Sequence, residues 1–201
     1  MTEKPLSKAE RTRRFIIEKT APVFNRKGYA GTSLSDLTEA TGLTKGSIYG
    51  NFENKDEVAL AAFDHNFEQV NAYVAKHILA TDDAIERLLV YPNIYRNFLK
   101  IPLLMPGCPI LNTATEADDT HPDLKKRAAA ALDSWRTSME NQIKRGIARN
   151  EIKQDTDPVQ VAIVIMSLIE GAIMQAKAAS RSKELKIAMD FLEKYIRDLK
   201  A

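Results

Sequence analysis

An all-α fold follows from three features of this 201-residue sequence. Apolar residues recur three and four positions apart through most of the chain, as in helices with one buried face. Capping residues, glycines and prolines cut that pattern into helix-sized pieces. Residues 32–52, TSLSDLTEATGLTKGSIYGNF, contain two short helical patterns joined by a glycine turn, the second of them polar and basic. The expected architecture is an N-terminal three-helix head over residues 1–52 and a larger helical domain over residues 53–201, a division that suits the length.

The first helix is expected from Ser7 to about Lys27, with Phe15, Ile16, Ala21, Val23 and Phe24 as apolar anchors and Arg11, Arg13 and Arg14 at its basic start. Pro22 lacks an amide donor and crowds the preceding turn, which predicts a kink or a local break. Gly28 should end this helix, with Tyr29 packed beside the turn. Ser33 then caps a second helix, and Asp36 stands where a carboxylate favours a helix start. Leu34, Leu37 and Ala40 form its apolar face, and Gly42 ends it. Thr44 caps a third helix over Lys45 to about Gly50. Leu43, Ile48 and Phe52 face inward, leaving Lys45, Ser47, Tyr49 and Asn51 for solvent or DNA. A helix-turn-helix needs this division, with one side held by a core and the other supplying hydrogen bonds and charge to a groove.

Asn54 and Glu57 mark the next helix start, reaching to about His77, with Leu60, Phe63, Phe67, Val70 and Val74 as its apolar stripe. This helix begins at the head and enters the second domain, so it is expected to act as a mechanical link. Asp82 or Asp83 opens a helix to about Phe98, and the prolines and glycine at 102, 106, 107 and 109 make a bend. A short helix is expected at Ile110–Ala117 and a longer one from Pro122 to about Asn150. Pro158 precedes a strongly apolar run, and a final helix spans about Ser182 to Leu199 with Leu185, Ile187, Ala188, Phe191, Leu192 and Ile196. These last two helices, about 158–199, carry more apolar positions than one helical layer needs, and small Gly171 and Ala172 permit close approach. They are therefore candidates for a two-fold four-helix interface between subunits, although an intrasubunit core could use the same faces.

Charge singles out the head. Residues 1–52 hold nine Lys/Arg and five Asp/Glu, whereas residues 53–201 hold twenty and twenty-two, so a chain of net +2 has its positive end at the helix pair. Phosphate attraction by one end of the molecule is the implication, with solubility as the plainer alternative.

The run GYAGTSLSDLTEATGLTKGSIYGNFENKDEVALAAF, residues 28–63, closely resembles the N-terminal signature of TetR/AcrR-type transcriptional regulators. The likeness rests on Gly28, Thr32-Ser33, Gly42-Leu43-Thr44-Lys45-Gly46, the segment from Tyr49 to Phe52, Lys55, Glu57-Val58 and Leu60. It implies an all-helical homodimer whose larger domain serves ligand binding and dimerisation. Ligand would change the spacing of two DNA-reading heads on a palindromic duplex operator. By the same resemblance, positions matching Thr32, Lys45, Tyr49 and Lys55 make DNA-backbone contacts. Physical argument adds the backbone of Thr44 and Gly46, which can approach DNA closely, together with Ser47 and Asn51. The sequence departs from the commonest family wording at Gly50-Asn51, which leaves the base contacts open.

Beyond the head, PGCPILNTATEADD (residues 106–119) resembles a recurrent segment in one branch of these regulators. Cys108, Asn112 and Glu116 recur every four residues and share a face if the chain is helical here. Three readings stand open: structural roles as a small packed thiol, a tied bend and a cap; contact with a small-molecule effector; or redox sensing by the thiol. Phe98, Met105, Trp135, Met139 and Met166 are the apolar candidates for lining an effector pocket, although helix stripes do the same in any core.

A repressor released by a small-molecule effector is the expected function. An activator or a redox-responsive regulator on the same fold is the alternative, and a helical interaction protein is the alternative from another class. One cysteine and three separated histidines make no catalytic constellation, so no enzyme activity, no metal site and no cofactor are expected. Neither a membrane span nor a secretory start is read, and cytoplasmic residence is expected.

Overall fold

The computed structural model describes residues 6–201; residues 1–5, where the expected head begins, lie outside the described residues. The described residues form α1 (Lys8–Lys27), α2 (Leu34–Thr41), α3 (Lys45–Tyr49), α4 (Lys55–Ile78), α5 (Ala84–Tyr95), α6 (Pro109–Ala117), α7 (Pro122–Ala148), α8 (Pro158–Ala179) and α9 (Lys183–Arg197). A single 3-10 turn at Phe98–Lys100 follows α5. An isolated antiparallel bridge pairs Ile152 with Lys200. The all-α expectation holds. The chain divides into two compact units, Met1–Glu68 with Pro109–Ala128, and Gln69–Cys108 with Ala129–Ala201. Helices α4 and α7 each contribute one part to each unit.

The first unit is built around the buried side chains of Ile16, Ala21, Phe24, Leu37, Ile48, Phe52, Val58, Ala59 and Ala62. Helix α1 starts with a reciprocal capping box between Ser7 and Glu10, and runs on through Pro22 without a break. Of the kink or break expected at Pro22, the break is absent; Thr20 and Ala21, immediately before the proline, are both fully buried. Gly28 ends α1 at φ +72°, and its amide donates to the Phe24 carbonyl at 2.9 Å. The start of α4 differs from its expected stripe. Val58, Ala59 and Ala62 reach the head core and Phe63 and Val74 of the expected stripe are buried, while Leu60, Phe67 and Val70 are only partly covered.

The second unit packs α8 and α9 against each other and α9 against α5. Asp83 caps α5 by accepting from the Glu86 amide, and the helix ends at Tyr95, three residues short of the expected Phe98. Arg96 then brackets α9, donating to Asp190 at 3.1 Å and Glu193 at 2.7 Å. On α8, Val161, Ile165, Ile169 and Ile173 turn inward, whereas Val159, Ile163 and Met174 are exposed. On α9, Leu185, Met189, Leu192 and Ile196 are fully buried, and Ile187 and Phe191 are 61% and 58% exposed. Thus the apolar run divides into a core face and an outward face. By length and composition α8 is also apolar enough to cross a membrane, with 44% of that window buried inside the protein.

One acid sits inside this unit. Both Glu170 carboxylate oxygens are buried. Burial pushes this group up to about 7, with the Cys108 thiol beside it acting in the opposite direction. A carboxyl raised in the folded state is neutral in both states below its unfolded value of 4.5, so the penalty on folding builds up as pH rises from there to about 7 and stays at its full size above. Glu170→Gln, neutral throughout, is therefore expected to melt above wild type at pH 8 and close to it at pH 4, measured by thermal circular dichroism.

Candidate nucleic-acid interface

Helix α3 has five residues, too few to hold itself together in water. Its ends are consequently tied. Gly42 leaves α2 in the left-handed region at φ +67°, which turns the chain sharply. Thr44 accepts from the Ser47 amide at 3.2 Å and so caps α3. Ile48 and Phe52 are buried at 0% and 2% exposure and anchor the helix to the core. A lost cap costs about 1 kcal/mol, whereas truncating a buried isoleucine costs about 2–5 kcal/mol. Burial of Ile48 therefore dominates the placement of α3, and the cap refines it.

The opposite face is open. Thr44, Lys45, Gly46 and Ser47 are all exposed at the N-terminal end of α3, where free amides and the helix dipole favour an anion. A Cβ built on Gly46 would meet only the Thr44 hydroxyl, at 3.9 Å, and the residue does not have positive φ. Nothing within the protein demands a glycine there.

Other expected contacts have partners inside the unit. Asn51 donates its side-chain amide to the Ser47 carbonyl at 2.9 Å, closing the end of α3. Tyr49 is half-buried against the head core. The Lys55 ammonium lies 4.3 Å from the centre of the Tyr29 ring. Tyr29 in turn donates its phenol to Asp56, and that hydrogen bond is the main reason its hydroxyl is pushed up to about 12. Thr32 is 1% exposed; its hydroxyl donates to the Gly28 carbonyl at 2.6 Å and secures the turn before α2. At the start of α2, Ser33 and Asp36 form a reciprocal box, and Lys27 adds an ion pair at 2.5 Å. Lys27, with the Ser33 amide and hydroxyl, holds the Asp36 carboxyl well below the usual range.

Arg13 had no assigned role beyond basic charge, yet it ties α1 to the exit of α3. Its guanidinium lies 4.0 Å from the Phe52 ring centre, and donates to the Asn51 carbonyl and to Glu57, both at 2.6 Å. Those partners are 38 and 44 residues away, so no local pattern reveals them.

The residues expected to meet an effector are not gathered in one place. Phe98, Cys108, Trp135, Met139 and Met166 are buried in the second unit, and Met105 there is half exposed. Met166 also lines a groove of about 230 Å³ with Leu132, Arg136, Ile163, Ser167 and Glu170. Asn112 and Glu116 belong to the first unit. Asn112 donates to the carbonyl and side-chain oxygens of Asn25 at 3.0 and 2.9 Å. Glu116 accepts from the amides of Tyr29 and Ala30, both at 2.8 Å. Among the described residues no group of three or more His, Cys, Asp or Glu is placed to hold a metal ion.

The family model described as "Bacterial regulatory proteins, tetR family" matches residues 16–62, and that described as "Tetracyclin repressor-like, C-terminal domain" matches residues 84–192. A TetR-family regulator from Cytophaga hutchinsonii of known structure is 48% identical, with a TM-score of 0.94, over 98% of this chain and 99% of that one. A TetR regulator from Chloroflexus aurantiacus J-10-FL is 38% identical, with a TM-score of 0.90, over 97% and 98%. The HTH-type transcriptional repressor DhaR of Mycobacterium sp. (strain GP1) is 23% identical over 165 residues, 82% of each chain. With a helix-turn-helix head that matches one family model and a helical domain that matches another, the chain belongs to the TetR family and is a sequence-specific DNA-binding transcriptional regulator.

Proposed function

We propose that the protein is a homodimeric repressor that reads a palindromic operator with α3 and is released by a small-molecule effector. The observation that carries the DNA contact is the exposed start of α3, Thr44 to Ser47, on a helix whose other side is anchored by Ile48. Lys45 supplies charge to a phosphate or a guanine edge, Gly46 gives the DNA backbone room to approach, and Ser47 adds a hydrogen bond. Tyr49 and Lys55 reach phosphate from the side of the helix, and Asn51 stands at its end. Thr32, expected to touch the DNA backbone, is buried with its hydroxyl on Gly28 and serves instead to hold the turn before α2. Repression is the direction suggested by the naming of DhaR as a repressor. Cytoplasmic residence goes with the DNA partner.

The outward apolar face of α8 and α9 supports the dimer. Val159, Ile163 and Met174 stand exposed on α8, and Ile187 and Phe191 on α9, while a Cβ on Gly171 would meet open space. A two-fold axis through this face would cover apolar surface that water otherwise meets, at roughly 25 cal/mol for each Å² removed from solvent. The effector is assigned to the second unit, where the groove beside Met166 offers apolar walls with Arg136 and Ser167 as polar groups. Its binding would favour a conformation in which the two heads no longer match the operator spacing.

Five outcomes test this reading. Wild type should retard a duplex from the region upstream of its own gene and leave a scrambled duplex largely free; equal affinity for both would overturn the proposal. Lys45→Ala should weaken binding to all sequences and reduce the slope of log affinity on log salt by about 1. Gly46→Ala should leave thermal stability unchanged or slightly higher, since Ala exceeds Gly in helix propensity by about 1 kcal/mol, while operator affinity falls at least about tenfold. Arg13→Gln should lower the melting temperature and operator affinity together, because it frees the exit of α3. For the interface, Ile187→Glu with Phe191→Glu should give a folded monomer by light scattering; a retained dimer would remove this face from consideration.

A further inference from the structure

Helix α6 grips the corner at which α1 hands the chain to α2. The two oxygens of Glu116 accept from the consecutive amides of Tyr29 and Ala30, each at 2.8 Å. One turn earlier on α6, the Asn112 amide reaches both oxygens of Asn25 in the last turn of α1. Between these two grips lies Gly28. A Cβ there would stand 2.4 Å from a Glu116 oxygen, and its φ of +72° disfavours any other residue. The corner is thus shaped around a carboxylate supplied by α6.

We propose that Glu116, supported by Asn112, is a positioning residue for DNA recognition, setting the direction in which α2 and α3 leave α1. The inference rests on the DNA-binding reading above, and deepens it by making the reading head dependent on a residue 86 positions beyond the corner it holds. Three features support it. Consecutive amides turned toward one point form a backbone anion site, and charge-assisted bonds into it are stronger than neutral ones. Both oxygens of Glu116 are already engaged, which suits a clamp better than contact with a ligand. The clamped segment also passes directly into the elements that place α3: Thr32 bonds back to Gly28, and Ser33 caps α2. A loosened corner would spread α3 over several orientations, and operator affinity would fall with the fraction competent to bind.

Glu116→Gln separates this role from general stability. The variant keeps one acceptor but turns an NH₂ group toward the second amide, so donor faces donor. Its affinity for the upstream duplex should drop about tenfold, as expected from losing a charge-assisted bond. Its affinity for a scrambled duplex should stay within about twofold, because phosphate attraction does not need a fixed α3. Amide exchange at Tyr29 and Ala30 should quicken while circular dichroism retains the helix content. Asn112→Ala should shift the same ratio in the same direction, by less. If wild type discriminates and both variants discriminate equally well, or if both affinities fall together with helix content, the positioning role is overturned. If wild type itself does not discriminate, the DNA-binding reading fails first.

Discussion

Everything about the reading head depends on burying the side chains of one five-residue helix. A helix this short gains too little from its own hydrogen bonds to offset the cost of nucleation. Ile48 and Phe52 must therefore supply from the core what length does not, and the polar face is free to serve DNA only because the apolar face is fully committed. The surrounding ties follow from that constraint. Gly42 aims the helix, Thr44 closes its start, and Arg13 gathers the Asn51 carbonyl, the Phe52 ring and Glu57 at its exit. Each fixes the direction of α3, which the contact proposed for it with a DNA groove needs most.

Local chemistry is what made the head legible. Ser33, Gly42 and Thr44 act within four residues of themselves, so their roles can be read from neighbouring positions alone. At Pro22, of the two outcomes its chemistry allows, a break and a kink, the break is absent. The proline's local penalty is real, but α1 continues through it with buried side chains on the preceding turn. On α4, spacing picked out Phe63 and Val74, which are buried, and Leu60 and Phe67, which are only partly covered, but it missed Val58, Ala59 and Ala62, which fill the head core.

The segment at 108–116 shows the limit more sharply. Four-residue spacing correctly places Asn112 and Glu116 on one face of α6, but what that face meets is the end of α1, 86 to 87 residues earlier. Cys108 stands just before α6 and belongs to the second unit beside Glu170. A periodic pattern shows which side chains travel together; it carries no information about their partner. For the same reason the apolar excess of α8 and α9 was readable, whereas its division into an inward and an outward face was not.

That division has a consequence for how the chain is made. Helix α8 is finished before any of α9 has been synthesised, and the turn between them, around Ser180 in the left-handed region, only then lets α9 fold back. Until it does, α8 lacks the Leu185, Met189, Leu192 and Ile196 face of α9 that covers it. At that moment the chain presents a helix apolar enough by length and composition to cross a membrane, a surface that favours aggregation while it stays uncovered. The brevity of the link is the safeguard, since a helical hairpin between adjacent segments closes quickly compared with contacts made across the whole chain.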